Sequence, residues 1–194
     1  MPDRHPLIFI RHGETDWNRA ARFQGQHDVP LNALGRRQAE RNGRAVAGIL
    51  ASGAWDFVAS PLSRTVETMR IALAAAGRTD ESFSTDPRLK EASYGDWEGL
   101  TLAEIDALDA GVHERRALDK WGFVPPSGES YAAVSERVAE WLATLGGPTL
   151  VVAHAGIMRG LLFRLAALPA DKAPHFTVPH DRVILFTRQR VLTI

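Results

Sequence analysis

The chain has no cysteine among its 194 residues. A disulfide framework, a thiol nucleophile and a thiolate zinc site are therefore all excluded, and a reducing compartment is compatible with the composition. Charge of one sign is also missing, because 23 Lys+Arg balance 23 Asp+Glu for a formal net charge of zero. The basic footprint of a general nucleic-acid binder is absent with it. Long apolar runs are lacking too. The best candidate, Thr149 to Leu168, is interrupted by His154, Arg159 and Arg164, whereas a transmembrane helix needs about 18 uninterrupted apolar residues. Ahead of Arg11 the N-terminus offers only about five apolar residues, too few for a signal-peptide core. The expectation is a cytoplasmic protein that engages neither membrane nor nucleic acid.

The length suits one α/β domain, read as residues 1–194, with a small insertion. Leu7–Ile10 reads as a strand, and Asn32 as the N-cap of a helix over Ala33–Leu50. Trp55–Ala59 is a second strand, after which Ser60-Pro61 offers an N-cap and a favoured first helical residue. In the helix that follows, Leu62, Val66, Met69, Leu73 and Ala76 form the apolar stripe, leaving Arg64 and Glu67 off it. A helix from Ser130 to Leu145 ends at Gly146-Gly147-Pro148. Then come a strand, Thr149–Ala153, a helix over Gly156–Leu168, and a terminal hairpin of Val183–Phe186 with Val191–Ile194. Repeated strand–helix units predict a three-layer sandwich: a mostly parallel central sheet with helices on both faces. The stretch from Tyr94 to Gly128 is rich in Gly, Pro and Trp, with one short helix near Leu102–Leu108, and reads as a lid insertion over a site.

Three strand-to-helix junctions carry reactive residues: Arg11-His12-Gly13, Ser60…Arg64 and His154-Ala155-Gly156. A parallel sheet brings such junctions to one edge, where open α/β folds bind ligands. Arginine matches phosphate or carboxylate oxygens with a fork of donors, and the start of the helix after Ser60 adds N–H groups that favour an anion. Each residue alone has an ordinary explanation: a satisfied structural histidine, a solvated helix arginine. Together they predict an anion site containing a histidine. A metal centre fits poorly, since Arg11 next to His12 would repel a divalent ion and acidic co-ligands are missing. His5, His27, His113, His175 and His180 read as surface or structural residues, with His27 and His180 able to border the pocket.

The ordered motifs Arg11-His12-Gly13-Glu14-Thr15…Asn18, Phe23-Gln24-Gly25…Asp28, Ser60-Pro61-Leu62…Arg64, Glu91…Tyr94-Gly95-Asp96-Trp97-Glu98-Gly99, Gly128-Glu129-Ser130 and His154-Ala155-Gly156…Arg159 resemble the histidine phosphatase superfamily, also called phosphoglycerate mutase-like, in its first branch. The match runs from about Leu7 to Phe186. The resemblance implies that His12 takes the phosphoryl group as phosphohistidine. It implies that Arg11, Arg64 and His154 bind the phosphate, that Glu91 is the general acid, and that Asn18, Gln24, Gly25 and the Ala155 backbone N–H line the site. Without the motif, Glu91 reads as an ordinary surface carboxylate. Such chemistry needs in-line positioning and neutralised oxygens, which two arginines and a protonated His154 supply without metal or other cofactor. A histidine nucleophile must attack as neutral imidazole, its second ring nitrogen held by a hydrogen bond to backbone carbonyl.

Relatives that are cofactor-dependent phosphoglycerate mutases carry a longer lid and a C-terminal tail that keeps water from the phosphohistidine. The compact lid here implies hydrolysis of a small phosphorylated metabolite. Mutase activity and a non-catalytic phosphate-binding module are the alternatives. Where many relatives carry small residues such as Asn-Ala-Ser, this chain has Pro179-His180-Asp181-Arg182.

Overall fold

The computed structural model describes residues 5–187 and 190–194; the reading of residues 1–4 and the turn of the terminal hairpin at 188–189 fall outside them. Six strands, β1 (Leu7–Arg11), β2 (Asp56–Ala59), β3 (Ser84–Thr85), β4 (Thr149–Ala153), β5 (Val183–Phe186) and β6 (Val191–Thr193), form one sheet in the order β3-β2-β4-β1-β5-β6. The β3–β2, β2–β4 and β4–β1 pairs are parallel, and β5 runs antiparallel to both its neighbours. The helices are α1 (Asp16–Arg19), α2 (Ala33–Leu50), α3 (Ser63–Ala75), α4 (Leu102–Leu108), α5 (Val112–Leu118), α6 (Tyr131–Leu142) and α7 (Ala155–Ala166).

Alternation along the buried strands creates the three layers. Ile8 and Ile10 of β1, with Leu150 and Val152 of β4, pack against Val46 and Leu50 of α2 and Met69 and Leu73 of α3. Leu7, Phe9, Val151 and Ala153 face the other way, onto Val134, Val138 and Trp141 of α6 and Ile157, Met158 and Leu161 of α7. Side-chain caps fix where two of these helices start. Asn32 accepts from the Gly35 N–H at 2.9 Å and Ser130 from the Ala133 N–H at 3.1 Å, each satisfying an N–H that the first helical turn leaves unpaired.

Three expectations change. Helix α3 starts two residues late, at Ser63, with Leu62 at the N-cap and no side-chain cap. The Thr65 hydroxyl bonds the carbonyls of Ser60 and Leu62 at 2.7 and 2.6 Å, holding Ser60 and Pro61 in a turn ahead of the helix. Arg64 lies on the buried face of α3 with Thr65, Thr68 and Met69, because its guanidinium has carbonyl partners inside the protein. The 94–128 segment contains a second short helix, α5, and a small apolar cluster of its own, in which Trp97, Ile105 and Val112 pack with Phe23, Leu100 and Phe123. Among the described residues no helix is long and apolar enough to cross a membrane.

Candidate active site

Parallel pairing sets the strand exits side by side. The His12 N–H continues the β1–β4 ladder to the Ala153 carbonyl at 3.0 Å, and the Ser60 N–H continues β2–β4 to Val152 at 3.0 Å. His154, directly after the central strand β4, is therefore flanked by His12 and Ser60. The two imidazole centroids are 5.1 Å apart, and His154 Nε2 lies 2.8 Å from the Ser60 hydroxyl.

His12 is buried, with Nδ1 2.8 Å from the Gly13 carbonyl oxygen. A carbonyl only accepts, so Nδ1 carries the proton and the Nε2 lone pair is left for chemistry. Burial first, then His154, Arg64 and Arg11, hold the ring well below the usual histidine range, so it is neutral at pH 7. The Gly13 N–H donates to the Thr68 hydroxyl at 3.1 Å, which pins this loop to α3.

His154 departs from expectation in charge. Burial, then Arg64 and Arg11, push it well below the ordinary value, so the free site holds it neutral rather than protonated. Its proton has to come with an anion that offsets the two guanidinium groups.

Arg11 and Arg64 are anchored on backbone carbonyls. Arg11 donates to Val178 at 2.6 Å; Arg64 donates to His27 at 2.6 Å and Gly25 at 2.8 Å. Carbonyls fix the planes of these groups without cancelling their charge. Burial pulls Arg11 down to about 10, which leaves it cationic at neutral pH. Three buried nitrogens of this group, Arg11 Nε, Arg64 Nε and His154 Nδ1, have no partner among the described residues. Orphaned buried donors of this kind suit an oxyanion.

Glu91 is buried at the N-terminus of α7, held there by its bond to Gly156, two residues after His154. Its Oε1 accepts from the N–H groups of Ala92 and Gly156 at 2.8 and 2.9 Å. A Cβ at Gly156 would lie 2.2 Å from that carboxylate oxygen, so any side chain there would displace the Glu91 carboxylate. Arg137 braces the same stretch, donating to the Arg88 and Glu91 carbonyls at 2.5 and 3.1 Å.

The smaller contributors also fall around this edge. Gln24 Oε1 accepts from the Thr15 hydroxyl at 2.9 Å, and Asn18 Oδ1 from the Thr15 N–H at 3.1 Å, so their amide nitrogens remain available. Gly25 takes φ +50°, a left-handed conformation, and turns its carbonyl to Arg64. Ala155 is the first residue of α7, with His154 as its N-cap. The α3 N-terminus is less open than expected, because the Ser63 N–H donates to Asp28 at 2.8 Å.

His180, expected to be able to border the pocket, lies beside His12 with its ring edge-on to it. His27 borders it by giving its carbonyl to Arg64, while its ring binds Glu98 at 2.9 Å. A cleft of about 560 Å³ lined by Trp55, Phe57, Ser84, Asp86 and Trp141 lies beside β3, away from all these groups. The converging set comprises a neutral imidazole with its Nε2 unspent, two fixed cations, a second imidazole and a buried carboxyl.

Residues 7–190 match the model of the histidine phosphatase superfamily, branch 1. The chain is 35% identical over 182 residues to a glucosyl-3-phosphoglycerate phosphatase of Mycolicibacterium vanbaalenii, covering 87% of this chain and 77% of that one. It is 33% identical over 169 residues to a probable phosphoglycerate mutase of Yersinia pestis, covering 84% and 76%. A putative alpha-ribazole-5'-P phosphatase structure from Escherichia coli superposes with a TM-score of 0.78 at 28% identity, over 99% of this chain and 95% of that one. The chain belongs to branch 1 of the histidine phosphatase superfamily and is a phosphoric monoester hydrolase.

Proposed function

We propose that the chain hydrolyses a small phosphorylated metabolite without a metal, through a phosphohistidine on His12. Arg11, Arg64 and His154 hold the phosphoryl oxygens, and Nε2 of His12 attacks phosphorus as the ester P–O bond breaks. Glu91 gives its proton to the departing alkoxide. In the second step water attacks phosphorus, the N–P bond breaks, and the proton of that water returns to Glu91. The guanidinium groups supply the charge that a divalent ion supplies in other phosphoryl-transfer sites. Asn18, Gln24, Gly25 and the Ala155 N–H line the phosphoryl pocket, and segment 94–128 covers it.

The observation that carries this reading is the His12 Nδ1–Gly13 carbonyl bond at 2.8 Å in a ring held neutral by burial and by cations. The test is hydrolysis of para-nitrophenyl phosphate by the purified protein. Turnover that survives EDTA and is lost in His12→Ala supports the reading; turnover that EDTA removes, or that His12→Ala retains, overturns it. Interconversion of 3- and 2-phosphoglycerate stimulated by 2,3-bisphosphoglycerate would favour the mutase alternative.

A further inference from the structure

The Glu98 carboxylate takes no part in the chemistry above, although two of the groups that hold Arg64 rest on it. Its side chain is 11% exposed, so its bonds are little shared with water. Oε1 accepts from the N–H groups of Gln26 and Tyr94, both at 3.0 Å. Oε2 lies 2.9 Å from Nδ1 of His27.

The Gln26 N–H and the Gly25 carbonyl are opposite ends of one planar peptide unit, so turning one turns the other. That carbonyl accepts from Arg64 Nη2 at 2.8 Å. His27 is held in the same two-sided way, its ring on Glu98 and its carbonyl on Arg64 Nη1 at 2.6 Å. Both acceptors that fix the plane of the Arg64 guanidinium are thus themselves fixed by one carboxylate. The remaining nitrogen, Arg64 Nε, is buried without a partner among the described residues.

The close approach depends on Gly25, since a Cβ there would overlap Glu98 Oε1. Backbone pairing keeps the register beside it. The Phe23 N–H donates to the Leu100 carbonyl at 2.9 Å, and the Gly99 N–H to the Phe23 carbonyl at 2.8 Å. Charge is the smaller part of the relationship. Burial lowers Arg64, and Glu91, then Asp28, and only then Glu98, oppose that shift. What singles Glu98 out is its set of hydrogen bonds.

We propose that Glu98 is a positioning residue: by holding the Gly25–Gln26 peptide and the His27 ring, it sets the plane in which Arg64 meets the phosphoryl group. This deepens the phosphatase reading and rests on it for the kinetic effects, whereas the effect on phosphate binding does not need turnover.

The test compares Glu98→Ala, Arg64→Met and the double variant with the wild type, and uses Glu98→Gln as the conservative change. Glu98→Ala lowers kcat/KM by about 10- to 100-fold, the scale of a small misalignment. The factor is the same on para-nitrophenyl phosphate and on an alkyl phosphate, because the phosphoryl group is common to both. Glu98→Gln recovers most of the loss: its amide oxygen replaces Oε1, and its NH₂ donates to Nδ1 of a neutral His27. In the Arg64→Met background Glu98→Ala costs little more, since the group it positions is gone. Should Glu98→Ala fail to fold, His27→Ala removes only the Oε2 contact from an exposed ring, and its smaller loss likewise vanishes in Arg64→Met. Calorimetry of inorganic phosphate on His12→Ala proteins repeats the comparison without turnover, with binding weakened about tenfold by Glu98→Ala only where Arg64 is present. A protein that hydrolyses nothing yet shows that coupled loss of binding sinks the phosphatase reading and upholds the role of Glu98. A loss equally large with and without Arg64, a loss confined to the alkyl phosphate, or a Gln variant as poor as Ala overturns it.

Discussion

The imidazole of His180 stands edge-on to that of His12, centroids 5.4 Å apart at 64°, and its Nδ1 lies 2.6 Å from the His12 carbonyl oxygen. The acceptor is a carbonyl, so His180 donates, clamping the backbone of His12, the proposed nucleophile. Burial, then Arg11, hold its ring down to about 4, so it serves as a neutral donor across the working pH range. In the proposed mechanism this contact makes His180 a positioning residue for His12.

His180→Ala should therefore lower kcat by about 10- to 100-fold, the scale of a small misalignment, with KM on para-nitrophenyl phosphate little changed. His180→Asn, which keeps a short N–H donor, should recover most of the loss. Equal losses in both variants, or a loss confined to KM, would contradict the role.

Stability should follow the same three histidines. His12 and His154 are held well below the ordinary range and His180 at about 4, each chiefly by burial. A depressed folded-state value means that the unfolded chain takes up protons first on acidification. Stability is then full above about pH 6.5 and declines below it, by up to about 1.4 kcal/mol per pH unit for each histidine. For His180 the decline continues to about pH 4. Urea midpoints measured from pH 8 to pH 5 should be flat above 6.5 and fall below it, with a shallower fall in His180→Asn. A midpoint independent of pH between 7 and 5 is the contrary result.

Leaving-group dependence isolates Glu91. Glu91→Gln should cost about 10²–10⁴ in kcat on an alkyl phosphate, whose alkoxide needs a proton, and far less on para-nitrophenyl phosphate, whose leaving group is stable as an anion. Gly156→Ala, by pushing a methyl group into the Glu91 carboxylate, should reproduce that pattern. Uniform losses on both substrates would remove Glu91 from the acid role.

Arg64→Lys tests whether shape or charge matters. The guanidinium bridges the Gly25 and His27 carbonyls, which a single ammonium cannot do while also facing a phosphoryl group. kcat/KM should fall by about 10²-fold or more, and a charge-only role would instead leave Lys nearly as active.

Much of this arrangement is legible in the sequence, for identifiable reasons. Helix α2 and strand β4 fall on the bounds expected of them, because Asn32 supplies a cap and Gly146-Gly147-Pro148 a clean break before a continuous apolar run. His12 and His154 were legible because each directly follows such a run. Arg64 was misjudged as off the buried face, since a stripe argument weighs apolar side chains and cannot see that carbonyls at Gly25 and His27, nearly 40 residues away in sequence, receive a guanidinium. Ser60 was read as a helix cap, while its hydroxyl partners His154 across the sheet edge. Glu91 had no local signal, since its position is set by the Gly156 and Ala92 N–H groups. His180 was only hinted at, because its partner is a backbone atom 168 residues earlier.

The central claim is a covalent phosphoryl group on His12, and the most direct measurement is to catch it. Protein quenched with alkali within the first turnovers of an alkyl or aryl phosphate, digested and weighed, should carry one phosphoryl group on the peptide containing His12. The adduct should be lost on brief acid treatment and absent from His12→Ala. Steady turnover with no adduct on that peptide, or an adduct on His154 or His180 instead, would contradict the account.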